Sequence, residues 1–367
     1  MTNKFTRARA GVAAFLTASL LGGVGIGWAT AATGAGPTIV NTSSKTLSLS
    51  ALQAAVDPAV VDVTSSLGYQ QATAAGTGIV LTSSGEILTN NHVIEGATSI
   101  KVTDLGNDRT YTARVVGYDP SADVAVLQLQ GASGLRTATL ANSKSVTVGQ
   151  SVVALGNAGG RGGTPSVASG TITALDQSIT ASNEGTGTSE HLEGLLETDA
   201  DVQAGDSGGP LVDMAGQVIG MDTAGSSGTT GATDESSTPQ GYAIPVDEAV
   251  AVADQIEQGR SSATVHVGAT AMLGVEVTSE STGGFGGSAA GVAVAVAGVV
   301  PGSPASKAGL ATGDVITRVA GRAVTSPTVL SAILASHRPG SKVSVTWTDT
   351  VGQQHTATVT LTSGPAA

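Results

Sequence analysis

The residue of this chain best suited to act as a nucleophile is a serine flanked by glycines, Ser207, in the segment Gly205-Asp206-Ser207-Gly208-Gly209-Pro210. Glycines on both sides permit backbone conformations that other residues avoid, and they let a substrate approach closely. A nucleophilic serine also needs a general base, a group that orients the base, and N–H donors for the developing oxyanion. The rest of the chain must supply these partners if Ser207 does chemistry.

The best candidate for the general base is His92. It follows the apolar residues Ile87 to Thr89, which we predict as the second strand of a hairpin with its turn at Gly85. The end of a strand holds a side chain firmly at a barrel edge, and an imidazole with an unperturbed pKa near ~6.5 accepts a proton at neutral pH. The remaining histidines lie in polar loops or late in the chain, where a solvated side chain is the expected explanation: His191, His266, His337 and His355.

The best candidate for the orienting acid is Asp123. It precedes the apolar run Val124 to Leu129, so we expect its carboxylate at the buried edge of a strand. A buried carboxylate needs a partner, and an imidazole N–H is a suitable one. Asp119 is the rival, although Asp119-Pro120 is typical of an ordinary turn. Each of these residues alone also has an ordinary structural explanation.

The segments that must position these residues are short apolar strands separated by glycine, asparagine, aspartate or proline. Aromatic residues make up 2% of the chain and glycine is abundant at 51, so a core of Val, Ile, Leu and Ala in short strands is expected. This pattern predicts an all-β barrel or sandwich. The predicted strands are Gly78–Leu81, Ser99–Val102, Thr112–Val116, Ser151–Ala154, Gly170–Thr173, Gly194–Glu197, Gly209–Val212 and Val218–Met221.

Loops and a boundary helix complete the first pattern. The low-complexity segments Asn157–Gly163 and Ala224–Gly231 are typical of mobile, solvated loops. A short helix is expected from Leu52 to Val60. Apolar residues at helical spacing predict another helix from Val246 to Gln258, which we place at the boundary between two domains.

A second strand pattern begins at Val265 and fits a domain of about 100 residues. Ser303-Pro304 predicts the start of a short helix that ends at Gly309, and Ser326-Pro327 predicts the start of another. The predicted strands of this domain are Leu273–Val277, Val292–Val296, Val315–Val319, Val343–Thr348 and Thr356–Leu361.

The N-terminus predicts export. Lys4, Arg7 and Arg9 precede the apolar stretch Gly11–Trp28, which is long for a signal peptide and barely long enough to span a bilayer. We therefore interpret residues 1–32 as a signal peptide or membrane anchor, with the rest of the chain outside the cytoplasm, and residues 33–50 as a linker. The net charge of −12 argues against nucleic-acid partners, and the absence of cysteine excludes disulfides and thiolate chemistry.

The candidate residues occur in the order His92, Asp123, Ser207, and their segments resemble the catalytic segments of chymotrypsin-like serine proteases. Gly241-Tyr242-Ala243-Ile244-Pro245 resembles the HtrA family more narrowly. Leu273-Gly274-Val275 and the run from Gly302 to Gly321 resemble the PDZ domain that HtrA proteins carry. The resemblance implies a mostly β chain: a chymotrypsin-like double β-barrel at 51–260, then a smaller α+β PDZ-like domain at 265–365.

The resemblance also implies roles for single residues. His92, Asp123 and Ser207 would form the catalytic triad in the cleft between the barrels, and the amides of Gly205 and Ser207 the oxyanion hole. Thr223, Ala224 and Gly225 would pair with the substrate backbone by strand addition. In the PDZ-like domain, a peptide carboxylate would rest on N–H groups of Met272, Leu273, Gly274 and Val275.

Three features depart from the family pattern. HtrA proteins usually carry asparagine where this chain has Asp206, whose carboxylate we expect to accept backbone N–H groups. Asp201 lies at the position that forms the base of the primary specificity pocket in trypsin-like enzymes, so it is either a determinant of cleavage after Arg or Lys or an exposed loop residue. Ser281–Gly291 is a Gly/Ser-rich insertion after the expected carboxylate site.

The sequence therefore predicts a serine endopeptidase that cleaves unfolded or exposed polypeptides outside the cytoplasm and is regulated by its PDZ-like domain. The alternative is a catalytically idle, peptide-binding chaperone or scaffold. No metal or cofactor is expected. The partners expected are polypeptide substrates, peptide C-termini at the PDZ-like domain and the membrane through the N-terminal segment. A homo-oligomer is an open alternative to a single chain.

Overall fold

A computed structural model describes residues 46–69, 71–182, 189–225, 240–281 and 292–365. The predicted export segment, most of the Ser281–Gly291 insertion and residues 226–231 of the predicted Ala224–Gly231 loop lie outside these ranges. Within them, no helix has the length and apolar character needed to cross a membrane.

The first part of the described chain, up to Leu129, is a closed six-stranded antiparallel barrel. Its strands neighbour one another in the order β5-β4-β1-β2-β3-β6, and pairing of β5 with β6 closes it. Helix α1 (Leu49–Val56) precedes the barrel, and the one-turn helix α2 (Asn91–Ile94) follows β3. The strands are β1 (Val60–Leu67), β2 (Ala72–Val80), β3 (Glu86–Thr89), β4 (Ser99–Asp104), β5 (Arg109–Asp119) and β6 (Val124–Leu129).

The second barrel is also closed, in the order β10-β11-β12-β9-β8-β7. Helix α3 (Val246–Glu257) follows it and packs back against the first barrel. The next strand, β13 (His266–Val267), pairs with β5 of the first barrel. The strands of the second barrel are β7 (Ser151–Gly156), β8 (Ser166–Ser182), β9 (Ser189–Thr198), β10 (Pro210–Asp213), β11 (Val218–Gly225) and β12 (Gly241–Pro245).

Small aliphatic side chains fill both barrels, as the low aromatic content predicts. Strands such as β4 alternate buried and exposed residues, with Ile100 and Val102 facing the core. One cluster of buried side chains contains residues of both barrels and α3, among them Leu88, Leu155 and Ile256. The two barrels therefore share one hydrophobic core. Close packing in this core fixes the positions of the loops where the barrels meet.

The C-terminal domain is a twisted antiparallel sheet with two helices. The strands are β14 (Ala271–Met272), β15 (Val275–Ser281), β16 (Val292–Val299), β17 (Val315–Val319), β18 (Arg322–Ala323), β19 (Lys342–Thr348), β20 (Gln354–Thr360) and β21 (Thr362–Ser363). The sheet runs β15-β16-β17-β19-β20, so β15 is an edge strand, and β14 pairs with β21. The helices are α4 (Pro304–Ala308) and α5 (Pro327–Ala335), and α5 contacts β15.

Both helices of this domain begin where the sequence predicts, and α4 also ends where it predicts. The hydroxyl of Ser303 accepts the Ser306 N–H at the start of α4, and Gly309 closes the helix in the left-handed conformation. Ser326 caps α5 in the same way, with proline at the first helical position.

Candidate active site

His92 and Asp123 meet because β3 and β6 are antiparallel neighbours. Thr89, the last residue of β3, is paired with Ala125 near the start of β6. The residue that follows one strand and the residue that precedes the other therefore lie side by side. Asp123 itself has φ = 51°, a left-handed conformation that aspartate tolerates better than most residues, and it is fully buried.

The histidine is held at two points by the same carboxylate. Nδ1 of His92 lies 2.9 Å from Oδ2 of Asp123, and the His92 backbone N–H donates to Oδ1 at 3.0 Å. The His92 side chain is 24% exposed, so part of it is accessible to solvent. The strand-end position predicted for His92 is wrong in detail. β3 ends at Thr89, and His92 lies on helix α2, which turns the chain away from the sheet.

Ser207 is joined to this pair through Thr223. Its Oγ donates to the Thr223 carbonyl at 3.2 Å, and the Thr223 hydroxyl donates to Oδ2 of Asp123. The two residues meet because the segment before β10 pairs with β11: Asp222 donates its N–H to the Gly209 carbonyl and accepts the Gly208 N–H, both at 2.8 Å. The structure thus connects segments from both barrels around one carboxylate.

The backbone around Ser207 adopts a left-handed conformation at two glycines. Gly205 has φ = 102° and Gly208 has φ = 86°, conformations that favour glycine. Within the described ranges, the amides of Gly205 and Ser207 donate to no other protein group, whereas the Asp206 amide donates to the Gln203 carbonyl at 3.0 Å. Two amides are thus available to a ligand near Ser207.

Asp206 is directed into the protein rather than towards solvent. It is buried, and its carboxylate accepts the Ser166 hydroxyl at 2.7 Å and the Gln203 amide at 3.0 Å. Burial raises the pKa of Asp206 above its usual value, and these hydrogen bonds offset part of that shift.

A second acid, Asp222, lies behind the serine and was missed by the sequence reasoning. It is fully buried, and neither of its carboxyl oxygens has a hydrogen-bond partner among the described residues. Burial, with a smaller contribution from Asp206, raises the pKa of Asp222 well above its usual value. Burial without a hydrogen-bond partner among the described residues favours the neutral form of this carboxyl over the charged one.

The candidate substrate-binding residues fall into two groups. Thr223 to Gly225 end strand β11, which pairs with β12. Asp201 instead lies on an exposed loop, where its carboxylate accepts the Gln203 side-chain amide at 2.9 Å. In this position it has the environment of a solvated loop residue.

The carboxylate-binding segment predicted in the C-terminal domain lies between β14 and the edge strand β15. Gly274 has φ = 84°, and its carbonyl accepts the Val300 N–H at 3.0 Å and the Ser303 hydroxyl at 3.2 Å. Leu273 is fully buried and accepts the Ala305 N–H. Helix α4 therefore holds this turn by hydrogen bonds, beside a strand edge that pairs with no other described strand, and α5 contacts β14 and β15.

The loop Asn157–Gly163 makes hydrogen bonds to both barrels, which the sequence did not predict, while residues 159–163 are exposed as expected for a solvated loop. Asn157 is buried and donates its N–H to the Thr77 hydroxyl at 2.9 Å. Gly163 donates to Asp62 at 3.0 Å, and Gly159 donates to the Ala204 carbonyl at 2.7 Å. Thr77 lies between Gly76 and Gly78 in the sequence and was not singled out there as a candidate residue.

Comparison with known proteins agrees with this architecture. Residues 76–221 match the family described as a trypsin-like peptidase domain, and residues 271–360 match the family described as a PDZ domain. The described residues contain no group of three or more His, Asp or Glu side chains that would hold a metal ion.

The chain is also similar to curated serine proteases. It is 35% identical to the serine protease PepD of Mycobacterium tuberculosis over 341 residues, which cover 90% of this chain and 69% of that protein. It is 36% identical to the periplasmic serine endoprotease DegP of Salmonella typhimurium over 278 residues, or 75% of this chain and 54% of that protein. The chain thus spans about half the length of DegP.

Among solved structures, the HtrA-type protease AlgW with tripeptide is 30% identical and covers 86% of this chain and 97% of its own. Its TM-score of 0.47 is too low to support an argument about the site.

Proposed function

The chain belongs to the HtrA family of trypsin-like serine endopeptidases that carry a PDZ domain, and we propose that Ser207, His92 and Asp123 are its catalytic triad. The observation that carries this proposal is the hydrogen-bonded connection of the three residues: His92 to Asp123 at 2.9 Å, and Ser207 to Asp123 through Thr223.

In this mechanism, the Ser207 hydroxyl attacks the peptide carbonyl while Nε2 of His92 accepts its proton. Asp123 holds the Nδ1–H tautomer of His92 and stabilises the imidazolium that forms. His92 then donates the proton to the leaving amine, and water repeats the sequence on the acyl-enzyme.

The amides of Gly205 and Ser207 bind the oxyanion in this proposal. Both are free of other acceptors within the described residues, and each donor of this kind contributes about 10²–10³ in rate. Thr223 to Gly225, at the end of β11, add the substrate backbone as a further strand.

The C-terminal domain captures a peptide C-terminus in this proposal. The open edge of β15 supplies backbone donors and acceptors, the adjacent helix α5 closes a groove, and the turn at Met272 to Val275 receives the carboxylate. We propose domain limits of 51–260 for the protease and 265–365 for this domain, joined by α3 and β13.

The substrates we propose are unfolded or exposed polypeptides outside the cytoplasm. The basic residues and apolar stretch of segment 1–32 support export, either as a cleaved signal peptide or as a retained anchor. Because Asp201 is exposed and bonded to Gln203, we propose cleavage after apolar rather than basic residues.

A serine-directed fluorophosphonate tests the proposal. We expect labelling of the wild-type protein and none of Ser207→Ala, with cleavage of an unfolded protein substrate lost in parallel. Labelling that persists in the variant would remove Ser207 from the mechanism. Protein that neither labels nor cleaves, with or without added C-terminal peptides, would support the idle peptide-binding alternative. A peptide library gives the cleavage preference, and sedimentation gives the oligomeric state.

A further inference from the structure

We propose that Thr77, on strand β2 of the first barrel, is a positioning residue whose hydroxyl fixes the direction of the Gly205 amide in the second barrel. Its Oγ1 donates to the Gly205 carbonyl at 2.7 Å and accepts the Asn157 N–H at 2.9 Å. Its backbone N–H donates to the Ser207 carbonyl at 2.8 Å. The inference rests on the proposed function, in which the Gly205 amide binds the oxyanion.

Gly205 needs such restraint because glycine lacks conformational preference of its own. Both peptide groups beside its Cα can rotate, so the direction of its N–H is set by whatever holds the flanking carbonyls. The Gly205 carbonyl is held by Thr77. The Ala204 carbonyl, which is in the same rigid plane as the Gly205 N–H, is held by the Gly159 amide at 2.7 Å.

The Thr77 hydroxyl also supports the second restraint, the hydrogen bond from the Gly159 amide to the Ala204 carbonyl. Asn157, which donates to it, begins the turn that contains Gly159, and its carbonyl accepts the Gly160 N–H at 2.7 Å. One hydroxyl therefore holds the Gly205 carbonyl directly and places the loop that holds the Ala204 carbonyl. Thr77 is fully buried, so water cannot replace these bonds at low cost.

The strand itself is held in place from its other side. The Thr77 carbonyl accepts the Thr89 hydroxyl at 2.7 Å, and Thr89 is the last residue of the strand before helix α2 and His92. Thr77 thus contacts both barrels. An apolar side chain at this position could not make the hydrogen bonds of the Thr77 hydroxyl.

Substitution of Thr77 by valine, which keeps the shape and removes the hydroxyl, tests the inference. We expect kcat on a fluorogenic peptide to fall about 10–100-fold with KM nearly unchanged, less than the 10²–10³ for the loss of a whole donor. A peptide boronate, whose tetrahedral adduct places an oxygen in the hole, should lose affinity by the same factor, while a product peptide should bind as before. Thr77→Ser, which keeps the hydroxyl, should restore most of the rate.

Thr198→Val is the matched control, because Thr198 is also fully buried, donates to a carbonyl (Thr171) at 2.9 Å and accepts one amide (Ala200) at 3.1 Å. All variants are compared below their measured unfolding temperatures. A Thr77→Val enzyme whose kcat and boronate affinity match those of Thr198→Val would overturn the inference. So would a Thr77→Ser enzyme as slow as Thr77→Val. Ser207→Ala in the same assay distinguishes failure of the inference from failure of the proposed function. If Ser207→Ala is inactive and Thr77→Val is unaffected, only the inference about Thr77 is refuted. If Ser207→Ala still cleaves the peptide, the proposed function is refuted.

Discussion

Replacement of Gly205 by alanine should inactivate the enzyme far more than it destabilises the fold. An alanine at φ = 102° costs about 1–2 kcal/mol for the left-handed conformation. In addition, a Cβ at this position would lie 2.9 Å from the Gly160 nitrogen and far inside contact distance of the Asn157 carbonyl oxygen. These are backbone atoms of a held loop, so residue 205 must move by on the order of 1 Å, enough to cost about 10²-fold when it misplaces a catalytic group.

We therefore expect kcat/KM for a fluorogenic peptide to fall about 10²–10³-fold, equivalent to ~2.7–4 kcal/mol of lost transition-state stabilisation. The loss should appear in kcat, because a misplaced oxyanion donor affects the transition state more than the bound substrate. Steady-state kinetics and thermal unfolding of the same samples measure both effects.

Gly149→Ala is the control, because Gly149 has φ = 86° and a Cβ there would meet nothing within 4 Å. It carries the conformational cost without the displacement, about 2–8 °C in Tm for a cooperative unit of roughly 150–250 residues such as the proposed protease domain. If Gly205→Ala keeps a kcat/KM within about fivefold of Gly149→Ala, the Gly205 amide is not an oxyanion donor.

Three further predictions concern charges and the C-terminal domain. Asp222→Asn should flatten the pH dependence of the free energy of unfolding. Because the pKa of Asp222 is raised in the folded protein, the stability that this group contributes below pH 3.8 is lost as pH rises. A free energy of unfolding, measured by urea titration, that varies with pH as in the wild type would contradict this. Glu86→Gln should do the same between pH 4.5 and about 7, where burial and a hydrogen bond with Glu257 raise the pKa of Glu86 to about 7; thermal unfolding across this window tests it. Gly274→Ala, whose Cβ would collide with Ser303, should abolish binding of C-terminal peptides by calorimetry without lowering kcat on short substrates by more than about twofold.

The sequence predicted the strands and the identity of the candidate residues well, because alternating apolar residues and glycine-punctuated turns are local signals. The hairpin turn at Gly85, with φ = 90°, and the capped helices α4 and α5 are confirmed. Helix α3 ends one residue earlier than predicted, at Glu257.

Features that depend on pairing between distant segments were beyond the sequence. The register of β3 with β6 brings His92 to Asp123, and no local pattern encodes a pairing across more than thirty residues. The contacts of Asn157 and Thr77 link separate barrels in the same way. Composition predicted the exposure of residues 159–163, but it did not predict that the glycines of Asn157–Gly163 allow close approach to Gly205 and the strand of Thr77.

The pairing of β13 with β5 has a practical consequence for dividing the chain. His266 is paired with Tyr118 and Val267 with Gly117. Both residues of β13 lie after the proposed protease limit at 260, yet they cover part of the edge of β5 in the first barrel. A protease fragment that ends at 260 would expose that edge to other chains and should aggregate, whereas one that ends at 268 should remain monodisperse. In this prediction, strand β13, which joins the two proposed domains, also protects the first barrel against self-association.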